Sequence, residues 1–116
     1  MARVRVDEAL LAEVVRRLVA AVDSDRIILF GSRARGDFHT DSDVDLLIVK
    51  DSTEKPHRRP IPAYQSLNGL GISKDILWYT PQEVQEWAEA RNHVVARAFR
   101  EGRVLYERRL PPECLP

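Results

Sequence analysis

GSRARGDFHTDSDVDLLIV, residues 31–49, carries the pattern on which the fold turns. Its second half, VDLLIV over Val44 to Val49, is an apolar run entered from polar turn formers, which predicts a buried strand. Side chains two apart on a strand share a face, so Asp43 and Asp45 project together at its entrance while Val44, Leu46 and Ile48 face the other way. Two carboxylates side by side raise the cost of ionising both. A divalent cation removes that cost, and carboxylate oxygen is the ligand that Mg²⁺ or Mn²⁺ prefers. The first half opens on Gly31-Ser32 and is polar and turn-rich, with one helical turn near its start.

Upstream, Arg26 to Phe30 reads as a short buried strand that ends at Gly31. Before it, Leu10, Leu11, Val14, Val15, Leu18, Val19 and Val22 form one apolar stripe on a helix from Asp7 to Val22, with Asp7 placed to cap it. Downstream, Asp51 to Pro60 is a charged, proline-broken loop, and Pro62 to Leu70 a short helix ending at Gly69 and Gly71. Lys74 to Tyr79 is a third strand. Thr80-Pro81-Gln82-Glu83 then starts a helix, with a capping hydroxyl, proline at the first position and glutamate at the third. That helix is expected to reach Ala90, a further one to run from His93 to Glu101, and Val104 to Tyr106 to add a last strand. This order predicts an α/β (α+β) fold with helices packed on one sheet face. Trp87, His93, Val94, Val95, Ala98 and Phe99 read as helix packing, and Trp78 as core.

Asp75 on the third strand has the same relation to Leu77 and Tyr79 that Asp43 and Asp45 have to their strand. If the two strands are neighbours, three carboxylates converge, a set able to hold two metal ions about 3.5–4 Å apart, as in phosphoryl and nucleotidyl transfer. Gly31-Ser32 lies where a helical turn begins, a place where backbone amides attract phosphate, and Arg33 and Arg35 bring charge beside it. Each feature alone has a plainer reading: a DxD pair as a turn or cap, Gly-Ser as a turn, the arginines as solvated surface, Asp75 as an edge-strand charge. A calcium loop starting at Asp41 is excluded, because its sixth and twelfth positions are Leu46 and Ser52. The combination, in order and on the elements each requires, favours a catalytic site. His39 and Phe38 lie in the intervening loop, where Phe38 is either a lid or a stacking surface for a base.

The 116 residues suit one compact domain over 1–116, with 108–116 as a flexible tail, and 44% hydrophobic with 31% charged residues is a globular composition. Eighteen basic residues balance eighteen acidic ones, which argues against a general nucleic-acid or membrane binder. The lone Cys114 cannot form an intrachain disulfide, and MARVRVDEALL lacks the apolar block of a signal peptide. A cytoplasmic protein, with oligomerisation left open, is the expectation.

Gly31-Ser32, ten intervening residues and Asp43-Val44-Asp45 match the GS–x10–DxD pattern of the polymerase-β-like nucleotidyltransferase superfamily. The full string 31–49, KDILWYTPQEV and REGRVLYE resemble its stand-alone minimal nucleotidyltransferases, over Leu10 to Tyr106 and most weakly across Asp51 to Ser73. The resemblance implies a small mixed sheet with helices on one face and the active cleft on the other, with Asp43 and Asp45 binding metal and Asp75 completing one site and helping to deprotonate the acceptor. It implies that Gly31 and Ser32 hold the triphosphate of ATP. It further implies a HEPN-domain toxin as partner, with AMP moved to a tyrosine hydroxyl of that toxin by this chain as antitoxin. A purely steric antitoxin and transfer to a small hydroxyl compound are the alternatives.

Overall fold

The structure is a computed structural model, and it describes residues 6–39, 42–88, 90 and 93–108. Its elements are α1 (Glu8–Val22), β1 (Arg26–Phe30), α2 (Ser32–Arg35), β2 (Val44–Val49), α3 (Ile61–Ser66), β3 (Lys74–Tyr79), α4 (Pro81–Trp87), α5 (Val94–Glu101) and β4 (Arg103–Glu107). The strands form one sheet in the order β3-β2-β1-β4. β1 pairs antiparallel with β2 and with β4, whereas β2 and β3 are parallel, so the sheet is mixed.

The apolar stripe of α1 determines one face. Leu11, Val14, Leu18 and Val22 are buried against Ile27 and Leu29 of β1, Val44, Leu46 and Ile48 of β2, and Ile76 of β3, with Ala63 and Leu67 closing the layer from α3 and its end. Fully burying an aliphatic side chain of this kind contributes about 1.5–3 kcal/mol, so this layer is the principal source of stability. On the opposite face Ile28, Phe30 and Leu47 pack against Ala98 of α5, with Leu77, Tyr79, Val94 and Phe99 around them. α5 thus covers one part of that face, and the end bearing Asp45 and Asp75 is left beside it. Asp45 is half-buried and Asp75 exposed.

The local signals act as their chemistry requires. Asp7 accepts from the Leu10 amide at 2.9 Å. Thr80 and Glu83 form a reciprocal capping box, Glu83 N donating to Thr80 Oγ1 at 3.2 Å and Thr80 N to Glu83 Oε1 at 2.9 Å. α3 starts at Ile61 and stops at Ser66, short of the expected Leu70, because tight Leu67 N→Tyr64 O and Asn68 N→Gln65 O bonds end it before Gly69. α4 ends at Trp87, short of Ala90; there the Trp87 ring stacks on His93, with centroids 4.4 Å apart. Trp78 is packed against the α1 layer, and its indole donates to Lys50 O at 2.7 Å. Arg108, expected to begin a flexible tail, is held: its amide donates to Asp25 O at 2.8 Å, and its guanidinium meets Asp23 and Asp25. Residues 109–116 lie outside the described residues. No described helix is long and apolar enough to cross a membrane.

Candidate active site

The site lies where β1 ends and where the parallel strands β2 and β3 begin. β2 and β3 pair in register from Val44↔Lys74 onward, and Asp45 stands directly across from Asp75. On the other side of β2, Asp45 is the register partner of Phe30, the last residue of β1. Asp43, one position before the strand, completes the acidic group. Three separate stretches of chain therefore bring Gly31, Asp43, Asp45 and Asp75 together.

Gly31 leaves β1 with φ 75° and ψ −158°, a conformation that side chains strongly disfavour. A Cβ there would also stand 2.2 Å from Asp45 Oδ2. Glycine is thus required twice at this position, by its backbone and by the carboxylate lying against it. Ser32 follows as the first residue of a one-turn helix, closed by Arg35 N→Gly31 O at 3.1 Å and Gly36 N→Ser32 O at 2.9 Å.

Asp45 carries the electrostatic record of this crowding. Burial first, then the Asp75 and Asp43 carboxylates, push its carboxyl above the ordinary aspartate range, against the opposing pull of Arg35. The outer carboxylates are engaged by hydroxyl groups. Ser73 Oγ donates to Asp43 Oδ1. Tyr64 Oη lies 3.4 Å from Asp75 Oδ1 and accepts the Ile76 amide at 2.8 Å. Among the described residues, no three Asp, Glu, His or Cys side chains form a ready-made ion cage.

The arginines divide. Arg35 ion-pairs with Asp37 at 3.4 Å and Glu101 at 3.6 Å while remaining close enough to Asp45 to act on it. Arg33 turns to the following loop, with Nε donating to Ser42 O at 3.1 Å and its guanidinium lying over the exposed Phe38 ring at 4.9 Å. His39 is exposed, and its amide donates to Ser42 Oγ at 2.8 Å. Sequence reasoning missed Tyr64 and Ser73. Ser73 directly precedes the third strand, a hint that its hydroxyl sits beside the strand-end carboxylates; Tyr64 lies in a helix whose contact with β3 no local pattern announces.

A small mixed sheet with flanking helices and a Gly-Ser turn against a strand-borne aspartate is the architecture of polymerase-β-like nucleotidyltransferases. The family profile described as "Polymerase beta, Nucleotidyltransferase" matches residues 16–110, and the chain belongs to that family. Among solved structures of the same fold is a provisionally assigned nucleotidyltransferase from Sulfolobus solfataricus, 22% identical over 84% of this chain and 78% of that one, with a TM-score of 0.59. A toxin–antitoxin structure with AMP-PNP is 19% identical over 84% and 73% of the two chains, with a TM-score of 0.61. A mutant of the toxin–antitoxin MntA–HpeT is 17% identical over the same shares, with a TM-score of 0.55. No curated protein matches the chain at a significant level.

Proposed function

We propose that this chain is a metal-dependent nucleotidyltransferase that moves AMP from ATP to a tyrosine hydroxyl of a partner HEPN toxin, and so acts as an antitoxin in the cytoplasm. The observation that carries this reading is the in-register pair Asp45 and Asp75 with Gly31 packed on Asp45. Kinship in fold with two toxin–antitoxin structures, one of them with AMP-PNP, supports the partner and the nucleotide.

The donor set fits divalent cations. It is all carboxylate, and Asp45 is crowded by Asp75 and Asp43, the situation that a bound cation relieves. Asp43, Asp45 and Asp75 would hold Mg²⁺, two ions in the full complex, with Mn²⁺ able to replace it. Bound there, the ions supply neutralisation of triphosphate charge and a more acidic acceptor hydroxyl. The chain's own groups do the rest. Gly31 and Ser32 receive the triphosphate, with Ser32 Oγ donating to a phosphate oxygen. Arg35 and Arg33 add positive charge beside them. The acceptor oxygen attacks the α-phosphorus, the bond to the β-phosphate oxygen breaks, and pyrophosphate leaves. Asp75 takes the hydroxyl proton.

The test is incubation with labelled ATP, Mg²⁺ and the protein encoded by the neighbouring gene, followed by mass spectrometry of both proteins. One or more adenylyl groups on a tyrosine of the partner, dependent on Mg²⁺, is the expected result. An unmodified partner in the presence of folded chain and ATP would overturn it.

A further inference from the structure

We infer that Tyr64 is a positioning residue for Asp75, a role that rests on the proposed metal and proton chemistry of that carboxylate. Tyr64 belongs to α3, in the stretch where the sequence resembles the family least. Its ring is packed against the α1 core layer, so the hydroxyl is delivered by a fixed scaffold and not by a free surface side chain.

The hydrogen bonds at that hydroxyl favour one arrangement. β3 is an edge strand, and its Ile76 amide, on the side away from β2, donates to Tyr64 Oη at 2.8 Å. A phenol oxygen has a single proton to give. With the amide occupying a lone pair, that proton points to the next acceptor within reach, Asp75 Oδ1 at 3.4 Å. Tyr64 thereby ties one carboxylate oxygen of Asp75, the register partner of Asp45, to the edge of the sheet. It also covers an exposed strand edge at the position where the acidic site requires β3 to stay in register.

Groups that orient a metal-binding carboxylate typically change metal affinity or activity 10- to 100-fold when removed. Tyr64→Phe keeps the ring and its packing and removes only the hydroxyl. Mn²⁺ binding to the full chain without nucleotide, followed by electron paramagnetic resonance, reads the effect apart from turnover. About ten-fold weaker Mn²⁺ binding in Tyr64→Phe is expected, with no further weakening when the same change is made in Asp75→Asn. A merely structural role would lower the melting temperature equally in both backgrounds and leave Mn²⁺ affinity unchanged; that result overturns the inference while the metal reading stands. Equal weakening of Mn²⁺ binding with and without the Asp75 carboxylate overturns it as well. Absence of Mn²⁺ binding in the unaltered chain removes the metal reading itself, and this inference with it. Adenylylation of Tyr64 itself, read by mass spectrometry after incubation with ATP and Mg²⁺, would make it an acceptor and overturn the positioning role.

Discussion

Gly31 and Asp45 are in direct contact: a Cβ on Gly31 would lie 2.2 Å from Asp45 Oδ2 and 3.1 Å from its Cγ. The glycine of the Gly-Ser turn is therefore required by the carboxylate packed on it. Gly31→Ala must both adopt a φ of 75° and displace the Asp45 side chain. Backbone strain of this kind costs about 1–3 kcal/mol. A lowered melting temperature is expected together with a lost stabilising response to Mg²⁺ and ATP, measured by thermal denaturation with and without the ligands. A fully retained response would remove Gly31 from the site.

The acidic cluster makes a second expectation. Mg²⁺ or Mn²⁺ with ATP should raise the melting temperature, because a ligand that binds only the native state stabilises it by mass action. Asp43→Asn combined with Asp45→Asn should abolish that rise and raise no folding problem, since it relieves repulsion acting on Asp45. An unchanged rise in the double variant would place the metal elsewhere.

Ser32 gives a third. Ser32→Ala should leave the fold intact, because the side chain lies outside both core layers. Loss of a hydrogen bond to a charged phosphate costs about 1.5–3 kcal/mol, which is roughly ten- to a hundred-fold in ATP affinity. Isothermal calorimetry would decide it, and unaltered affinity would rule out the cradle.

Away from the site, Glu83 ties acid stability to the start of α4. Burial alone would raise its carboxyl, but hydrogen bonds from Arg59, at 2.6 Å, and from the Thr80 amide outweigh it and hold Glu83 below the ordinary glutamate range. A lowered folded-state value means that stability is present above the unfolded value, about 4.3, and is lost as pH falls through the folded one. Glu83→Gln should flatten that acid limb. It should also cost about 1–3 kcal/mol at neutral pH by leaving the buried Arg59 without its carboxylate. Urea denaturation from pH 3 to 7 checks both, and an acid limb of unchanged slope in the variant would refute the assignment.

Strands were the most legible part of the chain. Arg26–Phe30, Val44–Val49 and Lys74–Tyr79 are short, mostly apolar runs between polar breaks, and the structure keeps those bounds. The pairing of Asp45 with Asp75 was legible only conditionally, since sequence gives the face of each side chain but not which strands are neighbours. Helix ends were less legible. α3 and α4 stop early because of tight turns at Leu67 and Asn68 and a stack of Trp87 on His93, geometries that apolar periodicity does not encode. Arg33 and Arg35 show the limit for side chains. Neighbouring charge suggests a shared task, yet one lies over Phe38 and the other pairs with Asp37 and Glu101. Tyr64 could not be read at all, because its hydroxyl meets β3 through tertiary packing.

Catalysis by Asp75 is tested most directly by comparing the unaltered chain with Asp75→Asn, with adenylylation of the partner read by mass spectrometry and partner toxicity by growth. The amide keeps the shape and removes both charge and basicity, and general-base assistance is typically worth 10²–10⁴-fold. The expected result is a variant that still forms the partner complex, loses AMP transfer by at least about a hundred-fold, and no longer rescues growth. Full rescue by a variant that transfers no AMP would contradict the enzymatic account, leaving a protein that neutralises its partner by binding alone.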